Sequence, residues 1–433
     1  MFNIFTDKAV VWSFFTIVAR FIKGPITIFF VVRYLDLQQQ GIWYAFLSLG
    51  ALSVFAELGF TRIVSVFVSH EKHSLHERRG FLFGKKSHLA KLWSLVSYSL
   101  KMYLFIVPIA VVLLIVAGYF FFIDYARDVF YVWIIFSIVT GFNLILSLLQ
   151  SIFIGLGNVE LANKNIVIGT LLSGIVTWVS LAGGLLLWSL PISMLFSVVI
   201  SLFLLWRRTK RLVFQYFKNS GECKVKWAKE IIPLQWRYAV GFISGYLSFQ
   251  LYVPTVFHFE GAEKAGQFGL SYAFVSILLT VGSVWLNAHA PMMTMAIAKG
   301  NVDIAQKQLN HDIIIGALVF ILGVGVILFS VYMMNLYQYY NNRILSITDI
   351  SLLLISQFST LFIGFIGVYC RFFKEEVLLK LGLVQSALMV TLLLFGLPRL
   401  GLTYMLMLIA VFQWFFFLPI AYKLFMPFYN RTS

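Results

Sequence analysis

The feature that most constrains this chain is a series of long apolar runs, separated from one another by turn residues and charges. Each run is close to the roughly 20 apolar residues that a transmembrane helix needs to cross a bilayer. The chain is 61% hydrophobic and only 12% charged, about half the charged fraction of a soluble domain. The runs predict an all-α polytopic membrane protein of about twelve transmembrane helices, near 9–33, 41–67, 99–123, 129–154, 165–187, 190–206, 235–257, 266–290, 313–336, 347–370, 377–398 and 400–425.

The composition argues against several other classes of protein. The two cysteines, Cys223 and Cys370, lie in different basic segments and offer neither a disulfide framework nor metal-ligand spacing. The seven histidines contain no HExxH motif, so we predict no metal, no cofactor and no catalytic residue. The net charge of +16 lies mainly in loops, where it fixes topology and contacts anionic lipid rather than nucleic acid. The first apolar run lacks a cleavage site, which predicts that it is retained as a helix.

The distribution of Lys and Arg predicts the orientation in the membrane. With a cytoplasmic N-terminus, the inward loops and both ends hold 24 Lys and Arg, whereas the outward loops hold 5. Positive charge accumulates on the cytoplasmic side of membrane proteins. The ratio therefore predicts an inner-membrane protein with both termini in the cytoplasm.

A long basic segment divides the chain into two sets of six helices. We predict an N-terminal lobe at 1–206, a basic amphipathic cytoplasmic linker at 207–233 and a C-terminal lobe at 234–433. The apolar residues between Leu212 and Phe217 favour a short helix in the inner interface, although a connector that only enforces topology fits equally well. Six plus six helices in one orientation predict two lobes around a central cavity, related by an axis along the membrane normal.

Five ionisable residues lie well inside the predicted spans: Arg20, Lys23, Glu57, Arg62 and Arg237. Each costs about 2.5–3.5 kcal/mol in lipid, so each is expected to face the bundle interior or a wet cavity. Four cations against one acid predict an electropositive cavity that binds an anion. A diphosphate suits such a site because Arg offers two parallel donors and Lys a compact charge. Glu57 is expected either to neutralise Arg20 or Lys23, or to take up a coupling proton or sodium ion.

Two runs carry polar stripes at spacings of three and four residues, which place the side chains on one helical face. The stripe of the first run comprises Ser13, Thr16, Arg20, Lys23, Gly24 and Thr27, and that of the seventh comprises Arg237, Gly241, Ser244, Gly245 and Ser248. We expect both stripes to line the cavity. Two alternatives stay open: Gly241 and Gly245 form a GxxxG packing motif, and Arg62 and Arg237 can extend to the inner interface. Other polar residues in apolar surroundings are expected to make interhelical hydrogen bonds: Gln250, Asn287 and His289.

Three stretches carry a resemblance to a known family: Gly41–Phe60, Pro233–Gln250 and Gly261–Pro291. Together with the helix count and the two lobes, they resemble the Wzx-type flippases of the multidrug/oligosaccharidyl-lipid/polysaccharide exporter (MOP) superfamily. The resemblance implies two lobes that open to either side of the membrane in turn. It also implies that the chain moves an undecaprenyl-diphosphate-linked oligosaccharide from the cytoplasmic to the periplasmic leaflet, for O-antigen or another surface polysaccharide.

The same resemblance implies a site and a set of partners. Arginines of the first and nearby helices line the cavity in the related lipid II flippase. By that resemblance Arg20, Lys23 and Arg62 hold the diphosphate, and Arg237 contributes from the second lobe. The expected partners are the lipid-linked oligosaccharide, anionic membrane lipids, a proton or sodium ion where transport is coupled, and the polysaccharide polymerase and chain-length regulator of the same pathway.

Two other functions are weaker interpretations of the sequence. A drug or organic-cation antiporter of the same superfamily needs buried carboxylates, and only Glu57 qualifies clearly. A membrane polymerase, ligase or glycosyltransferase of the same pathway carries its functional residues on sizeable periplasmic loops. The outward loops of this chain are short and contain no paired carboxylates for acid–base chemistry. We therefore predict a transporter and not an enzyme.

Overall fold

The computed structural model describes residues 8–78, 81–219, 225–336, 343–373 and 375–430, which are almost entirely helical. The chain divides into two compact units, one formed by Met1–Leu35 and Leu49–Ile243, the other by Asp36–Ser48 and Ser244–Ser433.

The first unit is built on long apolar helices and one short antiparallel hairpin. Its elements are α1 (Lys8–Tyr34), α3 (Ser53–Glu57), α4 (Phe60–Lys72), β1 (His76–Arg78), β2 (Phe81–Phe83), α5 (Lys86–Phe122), α6 (Arg127–Gly155), α7 (Val159–Ala182), α8 (Ser189–Asn219) and most of α9 (Trp227–Phe249). The helix α8 continues past the apolar run into the basic segment, as far as Asn219. The side chain of Gln215 on this extension holds the hairpin, because it accepts from Leu82 N (2.8 Å) and donates to Leu82 O (2.6 Å).

The second unit contains most of α2 and all the helices that follow α9. Its elements are α2 (Leu37–Gly50), α10 (Tyr252–Gly282), α11 (Val284–Ala298), α12 (Val302–Leu336), α13 (Ile347–Phe372), α14 (Leu379–Thr391), α15 (Leu397–Leu400), α16 (Leu402–Phe412) and α17 (Leu418–Tyr429). Short π-helical segments, Leu392–Gly396 and Gln413–Phe417, join α14 to α15 and α16 to α17.

The helices match a multi-pass membrane protein. Within the described residues, ten helical segments are long and apolar enough to span a bilayer, or eleven if Leu37–Glu57 and Phe60–Lys72 form one bent span. The longest segment, Trp227–Ala298, has 72 residues and would extend roughly 110 Å as one helix, several times a bilayer core. It contains two crossings, because α9 ends at Phe249 and α10 begins at Tyr252. The predicted fold class and the count of about twelve spans are confirmed.

Close backbone approaches at glycine define the packing in both units. In the first, a Cβ on Gly118 of α5 would lie 1.8 Å from Trp133 Nε1 of α6. In the second, a Cβ on Gly41 of α2 would lie 1.8 Å from the carbonyl oxygen of Ala262 of α10, and one on Gly266 would lie 2.9 Å from Gly41 N. Only residues without a Cβ allow these helices to meet at such distances.

Candidate functional site

The site is assembled from α1 and α7, whose contact is polar along its length. Three hydrogen bonds cross it: Asn163 Nδ2 donates to Ser13 Oγ (2.7 Å), Lys23 Nζ to Ser173 Oγ (2.8 Å) and Trp178 Nε1 to Thr27 Oγ1 (3.0 Å). Part of the polar stripe of α1 therefore serves helix packing, and the partners on α7 were not identified from the sequence. The sequence of α7 did contain a signal. Residues that pack closely or form hydrogen bonds recur within it at helical spacing: Ser173, Gly174, Thr177 and Trp178.

Lys23 is held in a fixed position by this contact. Its aliphatic stem lies over Gly174, where an added Cβ would come within 3.3 Å of Lys23 Cγ. The side chain is half-buried, and its hydrogen bond to the Ser173 hydroxyl is its only polar contact among the described residues. A neutral hydroxyl does not balance the charge of an ammonium group. Lys23 therefore presents a cation at membrane depth that no carboxylate of the described chain compensates.

Arg20 lies one turn before Lys23 on α1 and is exposed. It has no hydrogen-bond or ion-pair partner in the part of the chain that the structure describes. The exposed residues Phe14 and Phe21 lie about 100° around the helix axis from Arg20. Arg20 consequently belongs to the polar stripe and not to the phenylalanine face, with all of its guanidinium donors available.

Arg62 and Glu57 lie on either side of a break between α3 and α4. Leu58 (φ 48°) and Gly59 (φ 74°) adopt left-handed backbone conformations there, and the two helical segments bend by 47°. A Cβ on Gly59 would lie 2.6 Å from the ring of Phe242 of α9, so this turn requires glycine both for its dihedral angles and for its contact.

The polar groups at this break are satisfied within the first unit. Glu57 Oε1 accepts from Thr61 N (3.2 Å), Ser151 Oγ donates to Thr61 O, and Gln235 Nε2 donates to Glu57 O (3.4 Å). Glu57 thus caps the first turn of α4 and makes no ion pair with a cation of the described residues. An ion-coupling role for Glu57 stays a prediction. Arg62, one residue past Thr61, is exposed and has no partner among the described residues.

The predicted stripe of α9 is only partly described. Arg237 lies in the helix, but its side chain is outside the described residues. Ser244 Oγ donates to Gly382 O of α14 (2.8 Å), a packing contact within the second unit. No described atom lies within 4 Å of a Cβ built on Gly241 or Gly245, so the GxxxG motif makes no close helix contact in this structure.

A pocket of about 450 Å³ is lined by the beginning of α7, by α8 and by Glu77 of the hairpin. Two cations, Lys164 and Arg208, and two acids, Glu77 and Glu160, line it. The opposite charges balance, so this pocket does not select an anion. The uncompensated cations lie elsewhere, on α1 and α4.

The second unit also contains an acid with no exposed surface that was not predicted from the sequence. Asp312 of α12 is fully buried, next to His289 of α11. It immediately precedes the predicted run 313–336 and therefore fell outside the residues expected at membrane depth. The expectation that His289 makes an interhelical hydrogen bond is met, since its Nδ1 lies 2.9 Å from Asp312 Oδ1.

Solved structures with the same arrangement of helices are known transporters. A MATE protein in complex with MaD3S aligns with a TM-score of 0.56 at 13% identity, over 96% of both chains. An outward-facing multidrug resistance MATE family transporter of the MOP superfamily gives a TM-score of 0.55 at 12% identity, over 96% of this chain and 95% of that one. The chain has the MATE fold.

A third structure shows the range of this fold. It is a MOP superfamily transporter from Pyrococcus furiosus, described as having a binding pocket of reverse polarity that suggests a different function. It aligns with a TM-score of 0.53 at 12% identity, over 96% of this chain and 95% of that one. No family model matches the sequence, and no curated protein sequence is significantly similar to it. The likeness therefore shows a MATE fold and does not identify the ligand.

Proposed function

We propose that this MATE-fold chain is a flippase that moves an undecaprenyl-diphosphate-linked oligosaccharide from the cytoplasmic to the periplasmic leaflet. The observation that carries the proposal is the charge at membrane depth in the first unit. Lys23, Arg20 and Arg62 are cations without a carboxylate partner among the described residues. Uncompensated cations in a low-dielectric region attract an anionic ligand strongly. A lipid-linked diphosphate supplies that charge on a molecule that already resides in the membrane.

The two cations on α1, Lys23 and Arg20, would each bind a different phosphate of the ligand. Lys23 is fixed by Ser173 and Gly174, so its ammonium group marks a constant position. Arg20 is one turn away, about 4.5 Å along the helix axis, and its planar donors can bind a phosphate in bidentate fashion. One phosphate would meet the fixed ammonium and the other the adjustable guanidinium. The sugar and the polyprenyl chain would lie beyond the diphosphate.

The transport step follows from this arrangement. The two units of the MATE fold would open to the two sides of the membrane in turn, and the diphosphate would stay on the cations of α1 throughout. Basic cytoplasmic segments, such as the end of α8, would concentrate the anionic lipid at the inner leaflet. The proposal places both termini in the cytoplasm and the protein in the bacterial inner membrane, where a polysaccharide polymerase and a chain-length regulator would use the product.

A drug or organic-cation antiporter is the alternative within the same fold. That function needs a carboxylate available to a cationic ligand. Of the acids at membrane depth in the described residues, Glu57 caps α4 and Asp312 is bound by His289 and Gln308. The uncompensated charges are positive, which favours an anionic cargo over a cationic drug.

The test is mass spectrometry of lipid extracts from cells that lack the protein. The cells are complemented with wild type, with Arg20→Ala plus Lys23→Ala, or with Arg33→Ala as a matched control on the same helix. We expect an undecaprenyl-diphosphate oligosaccharide to accumulate in the null strain and in the double variant, and to clear with wild type and with Arg33→Ala.

The possible outcomes test the flippase function and the assignment of the α1 cations separately. Clearance by the double variant would mean that the flippase function stands and the assignment of the α1 cations is wrong. If the null strain accumulates no complete lipid-linked oligosaccharide, the flippase function is wrong, and dye efflux then tests the antiporter.

A further inference from the structure

The second unit contains a carboxylate in an unusual setting for a membrane helix. Asp312 of α12 has no exposed surface, and an ionised carboxylate buried in this way requires compensation. His289 Nδ1 of α11 lies 2.9 Å from Asp312 Oδ1 and 3.1 Å from Oδ2. Gln308 Nε2, one turn earlier on α12, lies 2.9 Å from Oδ1. His311 makes a longer contact of 3.4 Å from its Nδ1.

No fixed cation compensates this carboxylate. Its hydrogen bonds and ion pairs within the described residues come from His289, Gln308 and His311 alone. The charged and titratable groups on the surrounding helices form no such contact with Asp312 or His289: Tyr272 on α10, Lys307 on α12, Tyr369, Cys370 and Arg371 on α13, and Tyr422, Lys423 and Tyr429 on α17. The charge of Asp312 is therefore balanced by a proton, carried either on the imidazole or on the carboxylate itself.

The geometry accommodates the proton in both places. With the proton on His289, Nδ1–H donates to the carboxylate, and Gln308 Nε2 donates to Oδ1. With the proton on Asp312, the carboxyl O–H donates to the lone pair of His289 Nδ1. Gln308 Nε2 lies 3.0 Å from this Nδ1 and is therefore within reach of both groups. His289 is 35% exposed whereas Asp312 is completely enclosed. The imidazole is therefore the part of this pair that solvent can reach.

The surroundings favour a proton over a metal cation. The polar atoms facing Asp312 are nitrogen donors from an imidazole and an amide. Hard cations such as sodium prefer several oxygen ligands. Among the described residues, no group of three or more His, Cys, Asp or Glu side chains is positioned to hold a metal ion.

The site also lies beside a discontinuous helix. The helix α11 is separated from α10 at Ser283, and Pro291 lies within it, two residues after His289. A proline inside a helix removes one backbone hydrogen bond and allows it to bend. The contact between His289 and Asp312 joins this interrupted segment to the long helix α12, so protonation changes the strength of a link between two helices.

We propose that His289 and Asp312 form a proton-binding site that couples transport to a proton gradient, with Gln308 positioning both groups. Uptake transfers H⁺ to His289, giving an imidazolium–carboxylate pair of zero net charge, which the buried site retains. Release returns H⁺ to water when opening hydrates the carboxylate and stabilises its negative charge. The coupling role rests on the flippase function proposed above, whereas the proton site itself does not.

The first experiment measures the proton site without any substrate. Histidine side chains are labelled with ¹⁵N in the full-length protein in lipid nanodiscs, and their signals are followed from pH 5 to 9. We expect one imidazole signal to be lost in His289→Asn, and the pH response of that same signal to change in Asp312→Asn, because the neighbouring carboxylate is removed. His88→Asn, on α5 of the first unit and without a contact to this site, is the matched control and should leave this signal unchanged.

The second experiment measures coupling. Membrane vesicles that contain undecaprenyl-diphosphate oligosaccharide are assayed for its transfer between leaflets, with and without an imposed pH gradient. Wild type should be roughly tenfold faster with the gradient, and Asp312→Asn and His289→Asn should be insensitive to it.

Either of two results overturns the proposal. One is a His289 titration that Asp312→Asn does not change; the other is full gradient dependence in both variants. If wild type transfers no lipid-linked oligosaccharide under any gradient, the flippase function and its coupling are wrong, and the titration alone decides the proton site.

Discussion

The two units of this protein differ in the sign and the surroundings of the charges that they carry at membrane depth. The first unit carries three cations at membrane depth that no carboxylate of the described residues neutralises: Arg20, Lys23 and Arg62. In the second unit a carboxylate, Asp312, is fully enclosed and held by hydrogen-bond donors. An uncompensated charge attracts a ligand from outside, whereas a charge with a titratable partner stores a proton. On the functions proposed above, the first unit would bind the ligand and the second would couple transport to protons.

The largest effect should come from reversing a charge in the first unit. Arg20→Glu would place a carboxylate beside the bound diphosphate, and such like-charge contacts cost several kcal/mol. We expect transport to fall by roughly 100-fold or more, measured as accumulation of the lipid-linked oligosaccharide in complemented cells. Arg33→Glu, the same change near the end of α1, should have little effect. Equal loss in both variants would mean that the charge acts on membrane insertion and not on ligand binding.

A large effect on stability is expected in the second unit. Asp312→Ala removes the acceptor of His289 and Gln308 and leaves their partly buried donors unpaired, which costs about 1–3 kcal/mol. Thermal unfolding of the purified protein in detergent measures this loss. Asp303→Ala, at an exposed position on the same helix, is the control and should be nearly neutral. A wild-type midpoint in Asp312→Ala would show that the buried contact is not formed in solution.

An intermediate effect is expected from moving Lys23 without removing it. In Gly174→Val the new side chain would press on the stem of Lys23, since a Cβ there already comes within 3.3 Å of Lys23 Cγ. We expect roughly tenfold slower transport at an unchanged protein level, comparable to about 1.4 kcal/mol. Gly364→Val on α13 is the control, because no described atom lies within 4 Å of a Cβ at that position. Equal activity of the two variants would argue against a fixed ammonium group.

The sequence was sufficient for the architecture but not for the polar contacts. Apolar runs report directly which segments can cross a bilayer, so the fold class and the number of spans could be predicted. The helix boundaries could not, since α5 and α8 extend beyond the membrane through charged residues such as Lys86 and Arg208. Hydropathy identifies the apolar part of a helix and not the charged part that continues into water.

The candidate sites were harder for a different reason. The pattern on α1 identified its polar face, but the partners on α7 are small residues of ordinary composition, and Ser173 becomes informative only once it meets Lys23. Asp312 was missed because it lies where an apolar run begins. Burial there depends on α11 folding over it, which no local pattern reveals.

The smallest effect is expected at Glu57, and it sharpens the division between the units. Its carboxylate accepts a hydrogen bond from Thr61 N and so caps α4. Glu57→Gln retains a side-chain oxygen for this bond, so we expect transport within about twofold of wild type, whereas Glu57→Ala loses the cap at a cost of about 1 kcal/mol. The measurement is clearance of the lipid-linked oligosaccharide with and without a proton gradient. A coupling carboxylate cannot be replaced by an amide, so complete loss in Glu57→Gln would move the coupling site from the second unit to the first.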